Sequence, residues 1–266
     1  MRVVSWNVNS VRARLPLLID LIDAESPDVI CLQETRCHEG QFPIRQLAAR
    51  GYETVAVGDG PRAGVSISSR VGLTDIQRGF GGTPVAPFDE PRLVAATVKG
   101  TRIVTVYAPN GRKAKTRPWQ VKLLWFELLR NELALELRDC EAANMALVVV
   151  GDFNVCPTLD DVYDPVKKRN RNLVTAEERA AFAALCDIGV VDVARSLHGA
   201  HADYTWFSYV AGQFANNRGY RLDVALASQR AAGNVRNCEV LTQWRDPNVV
   251  ERPSDHAPLV VDLRAC

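Results

Sequence analysis

The sequence predicts a mixed α/β fold on the strength of three observations. Short apolar runs bounded by turn residues recur along the chain and indicate buried strands. Amphipathic segments with helical spacing lie between some of them, as expected for helices that cover an apolar sheet. No linker rich in Pro, Gly or Ser and no fixed-period repeat divides the 266 residues, so we expect a single domain over residues 1–266.

Eight apolar runs predict the strands. Each is four to six residues long and ends at turn formers or charged residues. They cover residues 3–6, 29–32, 65–68, 93–98, 103–107, 146–150, 222–227 and 258–263.

Three helices are predicted between these runs. The first covers residues 10–24 before Pro27, with five apolar side chains on one face: Val11, Leu15, Leu18, Ile19 and Ile22. The second begins at Pro118 and runs to about Arg138, with these side chains inward: Val121, Leu124, Trp125, Leu128 and Leu129. Thr175 and Glu178 have capping-box spacing and predict the start of the third. Residues 79–91, which contain three Gly and three Pro, predict a loop.

Composition excludes several classes of protein. No apolar run is long enough to cross a bilayer, and the N-terminus lacks the parts of a signal peptide, so we expect a cytoplasmic protein with no membrane partner. Seven cysteines without a CxxC pair or a nearby His indicate reduced thiols, not a zinc site. A net charge of +1 gives no global reason to expect nucleic acid, so any such surface must be local.

Polar residues stand at one terminus of six predicted strands. Any one of them alone is most simply a turn former, a core aromatic or a solvated side chain. Together they predict a polar cleft where the strand termini meet on a rigid scaffold. The set comprises Asn7, Gln33, Glu34, Tyr107, Asn110, Asp152, Asn154, Asp223, Ser254, Asp255 and His256.

The types of residue in this set favour metal-dependent hydrolysis. Asp255 precedes His256 directly and cannot easily brace its imidazole, and there is no GxSxG elbow, which argues against a serine hydrolase. Asp223, from another strand, is the better brace for His256. Glu34 offers oxygen without a surrounding His or Cys cluster, which suits Mg²⁺ or Mn²⁺ and not zinc.

Six segments in this order resemble the exonuclease III branch of the endonuclease/exonuclease/phosphatase superfamily. LQET and SDH occur across that superfamily, whereas WNVNSVRAR and RLDVALAS are more specific to its DNA-repair branch. The segments are SWNVNSVRAR at 5–14, PDVICLQETR at 27–36, YAPNG at 107–111, GDFNVCP at 151–157, NRGYRLDVALAS at 217–228 and SDHAPLVVDL at 254–263.

The resemblance implies a DNase I-like, four-layer α/β sandwich in which two sheets pack face to face with helices outside. It implies Glu34 as the main magnesium ligand with Asn7 and Asp255 near the metal, in a site that also includes Asp152, Asn154 and His256 and holds one or two ions. It further implies that Asp152 activates water and that Asn154 holds the phosphate or Asp152. Tyr107 would bond a phosphate oxygen, and His256, braced by Asp223, would stabilise charge on the phosphorane.

Two acid-free basic clusters supply the local charge that DNA would need. Each alone could be a solvated loop, but beside a phosphodiesterase cleft they predict contacts to duplex phosphates. In the family, the region of Trp206 and Tyr220 lines a pocket for a base-free sugar. The clusters are Arg112, Lys113, Lys115 and Arg117, and Lys167, Lys168, Arg169 and Arg171.

We therefore expect a monomeric nuclease of base excision repair. Its substrate would be double-stranded DNA. It would cut this DNA 5′ of abasic sites, remove 3′ blocking groups and degrade strands from 3′ to 5′. One alternative is a phosphoesterase of the same superfamily that acts on lipid or inositol phosphates. Another is a DNA-binding protein that has lost catalysis, although it would not need the whole polar set.

Overall fold

Two six-stranded sheets face each other in the computed structural model, which describes residues 1–81, 89–210 and 212–264. The first sheet has the order β11-β12-β1-β2-β4-β3 and the second has the order β5-β6-β7-β8-β10-β9. In chain order the strands are β1 Arg2–Asn7, β2 Val29–Gln33, β3 Glu53–Val57, β4 Val65–Ser69, β5 Thr74–Arg78, β6 Leu93–Val98, β7 Thr101–Tyr107, β8 Ala146–Asp152, β9 Val190–Asp192, β10 Asp223–Ser228, β11 Val235–Val240 and β12 Leu259–Leu263.

Helices cover the outer faces of both sheets. None in the described ranges is both long and apolar enough to cross a membrane. In chain order the helices are α1 Leu15–Glu25, α2 Ile44–Ala48, α3 Arg117–Ala142, α4 Pro165–Lys168, α5 Ala176–Cys186, α6 Val193–His198 and α7 Gln229–Ala232. Of these, α1 and α2 pack on the first sheet and α3 and α5 on the second, while residues of α6 and α7 join the core between the sheets.

Alternate residues of each central strand enter different cores, because successive side chains point to opposite faces of a sheet. In β8, Val148 and Val150 pack between the sheets, while Val149 packs outward against Trp125 and Leu129 of α3. In the first sheet, side chains of β1 and β2 pack outward against α1 in the same way. Both faces of both sheets are thus buried, and the predicted four-layer α/β sandwich is confirmed.

All eight predicted strands are present, and the four strands that the sequence does not predict are the four sheet edges. β11 and β3 flank the first sheet, and β5 and β9 flank the second. An edge strand is less buried, so its sequence is less apolar: every residue of β5 is exposed or partly exposed.

The helix predictions need two corrections. The first helix begins at Leu15, not at residue 10, since Pro16 occupies its first turn and Asn9 and Ser10 have positive φ angles. In α3, Leu124 and Leu128 are exposed and not inward. The buried stripe instead includes a lysine, Lys122, together with Trp119, Trp125, Phe126, Leu129, Leu133, Leu137 and Cys140.

Two local predictions are confirmed where the structure describes them. Thr175 caps α5 reciprocally with Glu178. The six cysteines within the described ranges are all free thiols. Cys266 and residues 82–88 of the predicted loop lie outside the described residues.

Candidate active site

The polar strand ends meet at one edge of the sandwich. β1 and β2 are parallel and end side by side at Asn7 and Gln33, while β7 and β8 are parallel and end side by side at Tyr107 and Asp152. β10 runs antiparallel to β8, so its first residue, Asp223, pairs with Asp152. β12 runs antiparallel to β1, which places the segment before it at the same edge. Strand direction alone therefore gathers side chains that are distant in sequence.

Asp152 lies at the centre of this edge and is almost fully buried. Its Oδ2 accepts hydrogen bonds from Asn7 Nδ2 at 2.9 Å and Asn154 Nδ2 at 3.1 Å, and its Oδ1 accepts one from the Asn154 amide at 2.8 Å. The preceding Gly151 has φ 147°, and a Cβ there would lie 2.0 Å from the Val106 carbonyl oxygen. Only glycine permits this approach of β8 to β7. The three hydrogen bonds fix the Asp152 carboxylate in one orientation.

His256 is held between two carboxylates. Its Nδ1 lies 2.7 Å from Asp223 Oδ2, and its Nε2 lies 3.8 Å from Asp152 Oδ2. Thr205 Oγ1 accepts the Asp223 amide at 3.0 Å, and Trp6 Nε1 donates to the His256 carbonyl at 3.0 Å. The imidazole thus has Asp223 on one nitrogen and turns the other toward Asp152.

Glu34 follows β2 in the left-handed region, with φ 50°. A positive φ is uncommon for a residue with a side chain and is found at functional sites more than elsewhere. Glu34 Oε1 accepts Asn7 Nδ2 at 2.9 Å, and Oε2 forms an ion pair with Arg36. Asn7 therefore donates to Glu34 and to Asp152 at once and holds the two carboxylates close together.

Tyr107 keeps its phenol proton. Burial, together with the Glu34 and Asp152 carboxylates, holds the pKa of Tyr107 well above its usual value. The Arg92 guanidinium lies 4.6 Å from the centre of its ring. The hydroxyl is therefore a hydrogen-bond donor at this edge of the sandwich.

Electrostatics set the protonation of the central groups. Burial, and then the nearby Asp223 and Glu34 carboxylates, raise the pKa of Asp152 to about 7, although His256 opposes this. Burial alone would lower the pKa of His256, but Asp223 and Asp152 raise it to about 10. We name Glu34, Asp152, Asp223 and His256 the catalytic cluster. Its three carboxyl groups outnumber the one protonated imidazole, so the cluster carries excess negative charge.

The catalytic cluster has donors suited to a divalent cation. One ligand atom each from Glu34, Asp152 and His256 lie within 4.8 Å of one another. Carboxylate oxygens are the usual ligands of Mg²⁺ and Mn²⁺, and a cation here would offset the excess charge. The residues present fit such an ion.

Three other expected ligands are turned to different partners. Asn7 presents its NH₂ group to the carboxylates, and its Oδ1 accepts the Asn9 amide at 3.0 Å. Asn154 Oδ1 accepts Asn110 Nδ2 at 3.0 Å. Asp255 uses Oδ1 to accept Asn9 Nδ2 at 2.9 Å and Oδ2 to accept Trp206 Nε1 at 3.0 Å. As placed, these side chains orient the cluster and its surroundings, and their part in metal binding stays a prediction.

The two predicted basic clusters line the same depression. This basic groove has a volume of about 1360 Å³. Arg112, Lys113 and Lys115 line one side, and Lys167, Lys168 and Arg171 contribute from the segment around α4. Arg117, at the start of α3, and Arg169, just after α4, are exposed but do not line the groove. Sequence separation conceals this convergence, because the 26-residue helix α3 and strand β8 lie between the clusters.

Aromatic rings connect the groove to the catalytic cluster. Trp206 stacks on Tyr220 at a centroid distance of 5.3 Å, and Tyr220 stacks on Tyr163 at 5.8 Å. Tyr163 and Tyr220 line the groove, while Trp206 bonds Asp255 beside His256. The two predicted aromatic contacts, Trp206 and Tyr220, thus belong to a three-ring column.

Several residues at the site give little signal in the sequence. Asn172 Nδ2 donates to Asn110 Oδ1 at 3.1 Å, which extends a row of asparagines from the groove through Asn154 to Asp152. Lys122 is buried below Asn154. The one signal for Lys122 is a charged residue at a helical position that is buried. Tyr163 and Asn172 give no such signal, because they stand in an irregular segment whose path no periodicity predicts.

Comparison with known proteins gives consistent matches. The model described as "Endonuclease/Exonuclease/phosphatase family" matches residues 4–256. Recombination repair protein 1 of Drosophila melanogaster is 31% identical over 98% of this chain, which spans 37% of that longer protein. Two structures of NExo from Neisseria, one titled a 3′-5′ exonuclease and one a 3′ phosphatase bound to a product DNA hairpin, are 34% identical, cover 99% of both chains and give TM-scores of 0.93 and 0.92. An AP endonuclease from Archaeoglobus fulgidus is 32% identical over 99% of both chains, with a TM-score of 0.90.

Proposed function

Because the chain belongs to the endonuclease/exonuclease/phosphatase family, we propose that it is a DNA-repair nuclease that hydrolyses phosphodiester bonds in damaged duplex DNA. Its reactions are incision 5′ of abasic sites, removal of 3′ blocking groups and 3′-to-5′ degradation. The observation that carries this proposal is the position of a buried carboxylate and imidazole cluster next to a long groove lined by cations.

Each residue of the catalytic cluster has a task that its surroundings support. Asp152 orients the attacking water and takes its proton, since its carboxylate is fixed by three hydrogen bonds and its pKa is raised toward neutrality by burial. The imidazolium of His256, braced by Asp223, stabilises negative charge that develops on the phosphate. Tyr107 donates to a phosphate oxygen, and Asn154 keeps Asp152 in place.

Glu34, with the Asp152 carboxylate close by, would hold the metal ion, for which Mg²⁺ is the proposed identity and Mn²⁺ a substitute. When bound, the ion supplies positive charge that offsets the phosphate and stabilises the leaving oxygen. The expected monomer, the single domain and the cytoplasmic location stay predictions.

DNA is the substrate that best matches the basic groove. Duplex phosphates present a row of negative charges, and the groove presents cations from both clusters along its length. The column of Trp206, Tyr220 and Tyr163 gives the groove an apolar wall near the catalytic cluster. A lipid or inositol phosphate would need neither a groove of this size nor this aromatic wall.

Gel analysis of an end-labelled duplex with one abasic-site analogue tests the proposal. Incision 5′ to the lesion with Mg²⁺, and none with EDTA, is the expected result. A matched duplex without the lesion and a duplex with a 3′-phosphate separate incision from end processing. Phosphate release from inositol phosphates without cleavage of any duplex would establish the lipid-type alternative, and duplex binding without cleavage at any Mg²⁺ or Mn²⁺ concentration would establish the inactive binding protein.

A further inference from the structure

Lys122 of α3 and Glu178 of α5 form an ion pair whose side chains are both completely buried. Burying two charges costs free energy that an apolar pair of the same size would not cost. Neither the family match nor the roles proposed above give this pair a function. Its hydrogen bonds connect it to a residue that holds the catalytic cluster.

The Lys122 ammonium reaches two partners on different elements. Its Nζ donates to the Asn154 carbonyl oxygen at 2.6 Å and to Glu178 Oε1 at 2.5 Å. Lys122 thus bridges α5 and the loop that follows β8. Asn154 has φ 49°, in the left-handed region that asparagine adopts more readily than most residues with a side chain, and the bond to its carbonyl helps to hold it there.

Asn154 is the residue that fixes Asp152. Its amide and its Nδ2 group donate to the two oxygens of the Asp152 carboxylate. The carbonyl that Lys122 holds lies in the peptide on the C-terminal side of Asn154, so this bond restrains the backbone of the residue whose amide and side chain set the direction of that carboxylate. A displacement of the Asn154 backbone would weaken both bonds together.

Glu178 ties the same ammonium to the wall of the basic groove. Its Oε1 also accepts the Leu173 amide at 3.2 Å, and its Oε2 accepts the amide and hydroxyl of Thr175 at 3.1 and 2.8 Å. Arg171, Asn172 and Thr175 line the groove. One buried pair thus joins the segment that lines the basic groove to the loop that carries Asn154.

We propose that Lys122 is a positioning residue for DNA cleavage: it holds the backbone of Asn154 at its carbonyl, and through Asn154 it holds the Asp152 carboxylate in the orientation that directs the attacking water. Burial lowers the pKa of Lys122, and the Glu178 carboxylate opposes that shift while it aims the ammonium at Asn154. The Lys122 side chain is completely buried, so its loss affects the rate of the bound complex and leaves DNA affinity intact. The inference rests on the proposed nuclease activity of the same site.

Three variants separate positioning from stability. Lys122→Met removes the ammonium and keeps an unbranched side chain that is one atom shorter, but it leaves the Glu178 carboxylate buried without a cation. Lys122→Met/Glu178→Gln removes both charges, and glutamine at this position still supports a capping box. Arg102→Met breaks another buried ion pair of α3, between Arg102 and Glu136, away from the catalytic cluster. Single-turnover rates, KM, melting temperature and the amide NMR signals of Asn154 are measured for each.

We expect Lys122→Met to lower both the melting temperature and kcat, with kcat reduced about tenfold, which corresponds to about 1.4 kcal/mol. KM should change by less than about twofold, since the groove cations are unaltered. The double variant should recover stability but not kcat, and the Asn154 amide signal should shift in both. Arg102→Met should lose stability while its kcat stays within about twofold of the wild type.

Recovery of kcat together with stability in the double variant would overturn the inference, because the pair would then serve the fold alone. An unshifted Asn154 signal in Lys122→Met, or an equal loss of kcat in Arg102→Met, would overturn it as well. Failure of the proposed function looks different: the wild-type protein would not cut the abasic duplex. The Asn154 signal would still report whether Lys122 holds that peptide.

Discussion

The catalytic cluster and the basic groove adjoin each other but are built in opposite ways. Side chains of the cluster stand at strand ends, are buried and are fixed by the hydrogen bond between His256 and Asp223 and by those from Asn7 to Glu34 and Asp152. Most groove cations stand on loops or on the short helix α4 and are exposed; Lys167, for example, keeps 81% of its side chain in solvent. Chemistry requires groups preorganised to fractions of an ångström, whereas phosphate contacts require mainly positive charge within reach.

The contrast predicts different consequences of mutation. A change in the cluster should alter turnover more than affinity, because its groups act on the reacting atoms. A change in the groove should alter affinity and its salt dependence more than turnover. The row of Asn172, Asn110 and Asn154 is the structural link between the two regions.

The largest effect is expected for Asp152→Asn. Asparagine keeps the shape of the side chain but cannot take a proton from water, so single-turnover cleavage should fall by on the order of 10⁴-fold. Fluorescence anisotropy with a labelled abasic duplex should give a dissociation constant within a few-fold of the wild-type value. If affinity fell in parallel with turnover, Asp152 would belong to the scaffold and the division between the two regions would fail.

A somewhat smaller loss is expected for Glu34→Ala, because the Asp152 carboxylate remains near the metal position. Cleavage at fixed Mg²⁺ should drop by on the order of 10³-fold, within the several kcal/mol that a metal ion supplies. A Mg²⁺ titration of the cleavage rate should show half-saturation at a higher concentration than in the wild type. Arg36→Met is the matched control: it removes the cation paired with Glu34 and leaves the carboxylate. An unchanged Mg²⁺ requirement in Glu34→Ala would place the ion elsewhere.

The Asp223 and His256 pair should show a loss of about 10²-fold in kcat for either alanine variant. Because the two side chains are bonded at 2.7 Å and act as one unit, the double variant should lose little more than either single variant. A double-mutant cycle on the single-turnover rate makes the measurement, with thermal unfolding as a check on folding. Losses that simply multiply would mean that Asp223 orients something other than the imidazole.

The same contrast explains which parts of the molecule the sequence can predict. Central strands are buried on both faces, so their apolar runs stand out, and polar residues at the ends of those runs mark Glu34, Asp152 and Asp223. The four edge strands are not predicted, because they are partly exposed to solvent and their sequences are therefore less apolar. Burial is therefore the source of the usable signal.

Side-chain orientation is beyond the reach of the sequence. Asn7 and Asp255 stand at predicted positions, yet the hydrogen bonds they make to Asn9, Trp206 and the carboxylates depend on rotamers that no pattern encodes. Lys122 escapes prediction because a helical pattern treats lysine as solvent-facing, and its partner Glu178 is distant in sequence. Such pairs become visible only when the elements are packed together.

The smallest effect on turnover, and the clearest effect of salt, is expected for the groove. Replacing Arg112, Lys113 and Lys115 with alanine removes three exposed cations that line it. Each bound phosphate releases counterions, so the slope of log affinity against log salt should flatten by about 0.9 for each phosphate that the variant no longer neutralises.

The matched control replaces Lys99, Arg138 and Arg236, three exposed cations that do not line the groove, and removes the same net charge. Anisotropy titrations across a range of NaCl concentrations measure both slopes, while kcat at saturating DNA should stay within a few-fold of the wild type because these interactions persist equally in ground and transition states. Equal slopes for the two triple variants would show that only net charge matters and that this loop is solvated; a large loss of kcat would instead place the loop in the catalytic machinery and erase the contrast between the two regions.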